Sequence, residues 1–133
     1  MILETVNRYL KILPTINIKS FCLDTYVLSL TCWEMNGGQY EDLSMLLIFK
    51  DIQALHIPTV LDDGPYTVEI ASSSMAEKLI PDEHFSFDDF VIEQRKCYFF
   101  RKNGEILGYY IDGFDLEMHI EPPDWADVPI PCE

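Results

Sequence analysis

Positive charge is scarce in this chain of 133 residues: nine Lys and Arg stand against 23 Asp and Glu, a formal net charge of −14. None of the nine follows Lys102, so residues 103–133 carry carboxylates only. Such a field repels nucleic acid and anionic membrane surfaces and steers cationic partners inward. It also serves plain solubility. Long apolar runs are missing too; none approaches the ~20 residues of a membrane-spanning helix. The start of the chain lacks the charged, apolar, small-residue order of a secretory leader, so a cytoplasmic protein is expected. The four cysteines, Cys22, Cys32, Cys97 and Cys132, form no C-x-x-C pair. They read as small hydrophobes in strands, with Cys132 a tail thiol, rather than as disulfides or zinc ligands.

Signatures of chemistry are equally sparse. There is no Gly-rich phosphate loop and no G-x-S-x-G elbow. His56, His84 and His119 fall in separate segments, none at a metal-ligand spacing. His119 stands two residues from Glu117, which offers a small-molecule or metal-dependent enzyme as one alternative. Asp62-Asp63-Gly64 and the stretch from Asp112 to Glu117 supply hard oxygen ligands without the alternating pattern and closing Glu of a calcium loop. Turn chemistry explains their Asp-Gly pairs, and no cofactor or metal is expected. Ser72-Ser73-Ser74 has no base nearby in sequence and reads as a strand end or helix cap.

What the chain does have is apolar and aromatic content, 48% and 13%, enough for a folded body. One domain is expected over 1–133: a helix over 1–13, a β body over 14–121 and a Pro-rich tail over 122–133. Residues 96–121 organise it. Asn103-Gly104 between β-forming runs predicts a type I′ hairpin, with Lys102 opposite Glu105, Phe100 opposite Leu107 and Tyr98 opposite Tyr109. Asp112-Gly113 repeats the signal and predicts a second tight turn, with Ile111 opposite Phe114 and Tyr109 opposite Leu116. Both turns put Tyr98, Phe100, Leu107, Tyr109, Ile111, Phe114, Leu116 and Met118 on one face, the expected core, since side chains change face with period two. The other face mixes Cys97, Phe99, Arg101, Ile106 and Tyr110 with Asp115, Glu117 and His119. Either a helix or second sheet covers it, or part stays open as aromatics ringed by carboxylates.

Upstream, Leu3, Val6, Leu10 and Leu13 recur at helical spacing before Pro14. Residues 21–35 read as one long strand, ended by the loop Asn36-Gly37-Gly38-Gln39. An apolar strand over 43–49 follows, expected to be covered on both faces. Short strands are predicted over 53–57 and 66–71, with a surface loop over 61–65 between them. A helical turn with a serine cap is predicted over 72–80. Residues 85–93 read as a strand whose Asp88-Asp89 marks an edge or bulge. These pieces predict a mainly β fold, an antiparallel sandwich or rolled sheet of about seven to eight strands. A short N-terminal helix precedes it and a C-terminal three-stranded meander closes it.

Three segments carry a resemblance: "DTYVLSL" (24–30), "LLIFKDIQALHIP" (46–58) and "NGEILGYYIDGFDLEMHIEPP" (103–123). Their order of hydrophobic pattern is similar to small bacterial β-domains that include immunity proteins of toxin–immunity systems. The chain departs from that group at Leu23-Asp24, where a charged or His-Asp start is usual, and in its Pro-rich tail. The resemblance implies a non-catalytic binding protein and transfers no binding residues. The leading expectation is an interaction domain that meets a basic protein through Tyr110, Asp115, Glu117, His119, Asp124 and Trp125. Neither nucleic acid nor membrane is expected as a partner, and a structural homo-oligomer is the remaining alternative.

Overall fold

The structure, a computed structural model, describes residues 2–35 and 38–122, the side chain of His84 excepted. Helix α1 (Ile2–Leu10) buries Leu3, Val6 and Leu10, with Leu13 beyond its end, on the predicted stripe. Asn7 turns the helix into an edge guard. Its side chain donates to the Val68 carbonyl at 2.9 Å and accepts from the Val68 N–H at 2.8 Å, as a neighbouring strand would.

The strands follow as β1 (Thr15–Cys22), β2 (Val27–Trp33), β3 (Ser44–Phe49), β4 (Ala54–His56), β5 (Val60–Leu61) and β6 (Tyr66–Ile70). Then come helix α2 (Ser73–Leu79), a single 3-10 turn (Asp82–His84) and helix α3 (Phe87–Ile92). Strands β7 (Lys96–Lys102), β8 (Glu105–Gly113) and β9 (Leu116–Glu121) close the described chain. They form two antiparallel sheets, β5-β1-β2-β3-β9 and β4-β8-β7-β6. The fold is mainly β, as expected, with the short helix first and the three-strand run β7–β9 last.

Between the sheets lies one core, to which Leu28, Leu30, Met45, Leu47 and Phe49 point from one side and Val68, Phe100 and Ile111 from the other. A second cluster sits behind the four-stranded sheet, where Ala76, Ile80 and Phe90 of the helical segment cover Cys97, Phe99 and Tyr110. A helical layer therefore covers that part of the mixed meander face. Among the described residues, α2 and α3 pack together and against β8 of the four-stranded sheet, while α1 lies between β6 and β9. In strand β3, Met45, Leu47 and Phe49 are buried, while Ser44, Leu46 and Ile48 on the other face are half-buried. The cover on both faces expected from the unbroken apolar run is complete on one face and partial on the other.

The first hairpin of the meander forms as predicted. Asn103 and Gly104 take φ of 52° and 78°, as a type I′ turn requires, and Lys102 lies opposite Glu105. Beyond Arg101 the strands slide, so Phe99 faces Tyr110 instead of Gly108 and Tyr98 faces Ile111 instead of Tyr109. The slide is even, and inward side chains stay inward.

At the second turn the chain does something else. Asp112-Gly113 continues β8, pairing with Cys97 and Lys96, and β9 pairs with β3, Leu116 opposite Phe49 and Met118 opposite Leu47. The third strand of the meander thus belongs to the other sheet. Gly113 is needed for closeness rather than for a turn: a Cβ there would lie 2.9 Å from the Lys50 carbonyl oxygen. Because both sheets face one core, Leu116, Met118 and Ile120 still point inward.

Two further expectations change. Residues 21–35 do not form one strand; β1 and β2 are a hairpin with Cys22 opposite Val27. Tyr26 takes the left-handed bend there, at φ 55°, and an aromatic at that position gives no turn signal. Cys22 is exposed at its tip, not packed as a small hydrophobe. Residues 85–93, expected as a strand, contain helix α3 instead, for reasons given below.

Gly113→Ala is expected to lower the unfolding free energy by roughly 1–3 kcal/mol, the usual cost of overfilling a packed site. At Gly108 an added carbon meets nothing within 4 Å, so Gly108→Ala should change it by less than about 0.5 kcal/mol. Urea melts decide, and equal losses at both glycines would refute the close-approach account.

Candidate interaction surface

The sheet crossing at Gly113 splits the predicted contact residues. Glu117 and His119 lie on the outward side of β9, the edge strand of the five-stranded sheet, with Asp115 just before its start; Asp115 and His119 are exposed and Glu117 is half-buried. Their acidity is partly cancelled. Lys50 Nζ sits 2.5 Å from Glu117 Oε1, and His119 Nε2 is 3.7 Å from Glu117 Oε2. The hydrogen bond from Lys50 holds the Glu117 carboxyl below its ordinary pKa, and the same bond raises Lys50. Both groups are open to water, so screening leaves the pair a weak tether. Among the described residues no group of three or more His, Cys, Asp or Glu side chains converges as metal ligands. Asp124 and Trp125 lie outside the described residues.

Tyr110 is not on that surface. It is buried beneath the helical layer with Phe99 and Cys97, because the four-stranded sheet turns this face toward α2 and α3. Burial raises its hydroxyl pKa and pushes the Cys97 thiol up to about 12. Beside it Asp112, expected as a turn residue, is a fully buried carboxylate paired with Arg95, Nη1 to Oδ2 at 3.0 Å. Burial raises Asp112 from 3.8 to about 6; Arg95 opposes the shift and Glu93 adds to it. Its second oxygen, Oδ1, and Arg95 Nε have no hydrogen-bond partner among the described residues.

Arg95 leads to the surface that sequence reasoning missed. The segment 82–93 holds Asp82, Glu83, Asp88, Asp89 and Glu93, with no Lys or Arg between Leu79 and Gln94. Alternating Phe85 and Phe87 followed by Val91-Ile92 reads as a strand, but local bonds win for helix. Ser86 caps α3 by accepting from the Asp89 N–H, and Asp88 and Asp89 in the first turn suit the helix dipole. At the far end Gln94, at φ 57°, lets the Arg95 N–H reach the Phe90 carbonyl and its own N–H reach Val91. That is a Schellman stop made without glycine, so no sequence signal marks it.

Phe90 faces inward and is buried, which leaves Phe87, Val91 and Ile92 on the outside at 45, 49 and 78% exposure. Beside this ridge opens a cleft of about 430 Å³ lined by Asp82, Glu83, Phe85, Asp89, Glu93 and Arg95. Asp82, Asp88 and Asp89 form no ion pair among the described residues, and Glu93 lies 3.7 Å from Arg95 Nε. Large apolar groups rimmed by carboxylates are thus concentrated here rather than on β9. The run of acids without a basic residue was the available signal.

The buried pair sets a pH dependence. Because the folded pKa of Asp112 lies above its ordinary value, the native chain holds this proton more tightly than the unfolded one. The resulting stabilisation is complete below pH 3.8 and is lost as the pH rises through about 6. Asp112→Asn should flatten the stability profile across that window. Arg95→Met strands the carboxylate and should cost roughly 3–5 kcal/mol at neutral pH, with a smaller cost once Asp112 is protonated. Denaturation at a series of pH values reads both, and a cost for Arg95→Met that fails to shrink on acidification contradicts this account.

No protein-family model matches the chain, and neither a curated protein nor a solved structure matches it.

Proposed function

We propose that this chain is a non-enzymatic interaction domain that binds a basic protein through the α3 surface. One observation carries the reading: Phe87, Val91 and Ile92 project from a helix flanked by Asp82, Asp88, Asp89 and Glu93. An exposed apolar ridge inside an acidic rim suits a partner that brings apolar anchors and positive charge together. The net charge of −14 extends that attraction beyond the contact area and favours fast, salt-sensitive association. A second copy of the chain fits less well, since its own carboxylates would meet the same rim. The likeness to immunity proteins supplies a candidate class, a cationic toxin held inactive by an acidic cover. The β9 carboxylates contribute to the field, with Glu117 discounted by Lys50.

The test takes the partner retained from native lysate at low salt and measures its affinity for variants. Ile92→Ser is expected to weaken binding about tenfold, roughly 1.4 kcal/mol. Neutralising Asp88, Asp89 and Glu93 together should slow association and flatten its salt dependence. Neutralising Asp115 and Glu117 should do much less. If the α3 variants bind like the parent chain while the β9 variant fails, the contact surface lies on β9 and this assignment is wrong.

A further inference from the structure

A second cleft, of about 450 Å³, opens at the end of the five-stranded sheet, where the start of β1, the end of β2 and the loop after β5 come together. Trp33, Met35, Pro14, Asp62 and Asp63 line it. We infer that this cleft is a binding site for an aliphatic cation, an alkylammonium or alkylguanidinium group, taken up between the Trp33 indole and the carboxylates of Asp62 and Asp63. The site stands apart from the α3 surface and does not depend on it.

Three features support the assignment. First, the walls are held in place. Trp33 Nε1–H donates to Asn17 Oδ1 at 2.5 Å, which fixes the indole. The loop is tied by the Gly64 N–H to the Pro14 carbonyl at 3.0 Å and by the Tyr66 hydroxyl to the Asp62 carbonyl. A Cβ on Gly64 would lie 2.8 Å from the Pro14 oxygen, so the loop sits as close as backbone allows. Second, the charges are uncompensated: neither Asp62 nor Asp63 forms an ion pair among the described residues, and no Lys or Arg lines the cleft. Their field nonetheless reaches Tyr66, whose hydroxyl pKa is raised by burial first and by these two carboxylates next.

Third, the rest of the wall is apolar and polarisable. Trp33 is 36% exposed and Met35 70%, although both are costly to leave in water. An anion is repelled here, and a neutral apolar group would strip water from two carboxylates without replacing it. A cation on an alkyl stem satisfies both parts, its charge toward the carboxylates and its stem or face against the indole. The same chemistry arrives either as a Lys or Arg side chain of a protein or as a free organic cation.

Nitrogen–proton correlation spectra of the full chain test this through the Trp33 indole N–H, separated from Trp125 with a Trp125→Phe variant. Arginine amide, a Gly-Arg-Gly peptide and choline are titrated at ionic strength matched with sodium chloride. The expected result is a saturable movement of the Trp33 signal that sodium does not reproduce. The double variant Asp62→Asn, Asp63→Asn should weaken it at least tenfold. Asn accepts the left-handed backbone that Asp63 adopts at φ 60°, and an otherwise unchanged spectrum verifies the fold. Tighter binding of the peptide assigns the site to a protein side chain, and tighter binding of choline to a free cation. A shift that matches sodium alone, or that survives in the double variant, overturns the inference.

Discussion

At Gly113 the backbone comes so close to the Lys50 carbonyl that no side chain fits between them, and much of the architecture follows from that contact. It lets the chain leave the four-stranded sheet and enter the five-stranded one within the few residues from Gly113 to Leu116. The backbone of β3's end and β9's start is then stitched by Lys50 N–H to the Asp115 carbonyl and Phe114 N–H to the Lys50 carbonyl. Immediately before the crossing, Asp112 holds Arg95 inside the protein, and Arg95 follows directly on the stop of α3. One dipeptide therefore joins both sheets and anchors the helical layer.

That arrangement decides which surfaces are free. The four-stranded sheet faces the core in front and is covered behind, around Cys97, Phe99 and Tyr110, by α2 and α3, so those aromatics do structural work, while Ile70 and Ile106 stay exposed. On the outer face of the five-stranded sheet, Ser44, Leu46 and Ile48 of β3 are half-buried and Trp33 of β2 is exposed. The sheet's β9 edge is lined with charge, a common way of keeping an edge strand from pairing with another chain. Lys50 reaching Glu117 belongs to the same protection. Free acidity and free apolar surface coincide instead on α3, a short helix whose one buried aromatic, Phe90, leaves three apolar neighbours outside.

The buried Arg95–Asp112 pair runs against the interest of stability alone. A carboxylate taken wholly out of water costs more than one guanidinium returns unless every lone pair is met, and here Oδ1 finds no partner among the described residues. Burial raises the pKa of Asp112 for the same reason, and Arg95 only partly opposes it. The pair does confer position, because a guanidinium has one geometry in which it meets the carboxylate and lies 5.8 Å from the Phe90 ring centre. The helix bearing the exposed ridge is thus held at one place over the sheet.

The sequence by itself determined what is local. Leu3, Val6, Leu10 and Leu13 defined the first helix, Asn103-Gly104 the hairpin, Ser72 the cap of α2, and side-chain alternation the inward set of β7, β8 and β9. Each rests on interactions between residues a few positions apart, or on a parity that survives an even slip. Only the tertiary structure decided the rest. Asp112-Gly113 carries the same letters as a turn, yet serves a buried charge and a tight crossing, because the groups it meets are Arg95 and Lys50. Tyr110 was legible as outward from the core, with cover by a helix or sheet as one of two readings, and the packing of α2 and α3 decided for cover. The α3 surface stayed hidden because its helix ends on Gln94 in a left-handed bend, and because exposure of Phe87, Val91 and Ile92 depends on Phe90 finding a place against β7. Contacts between distant segments are not written in local spacing, and it is those contacts that set which carboxylates and aromatics meet the solvent.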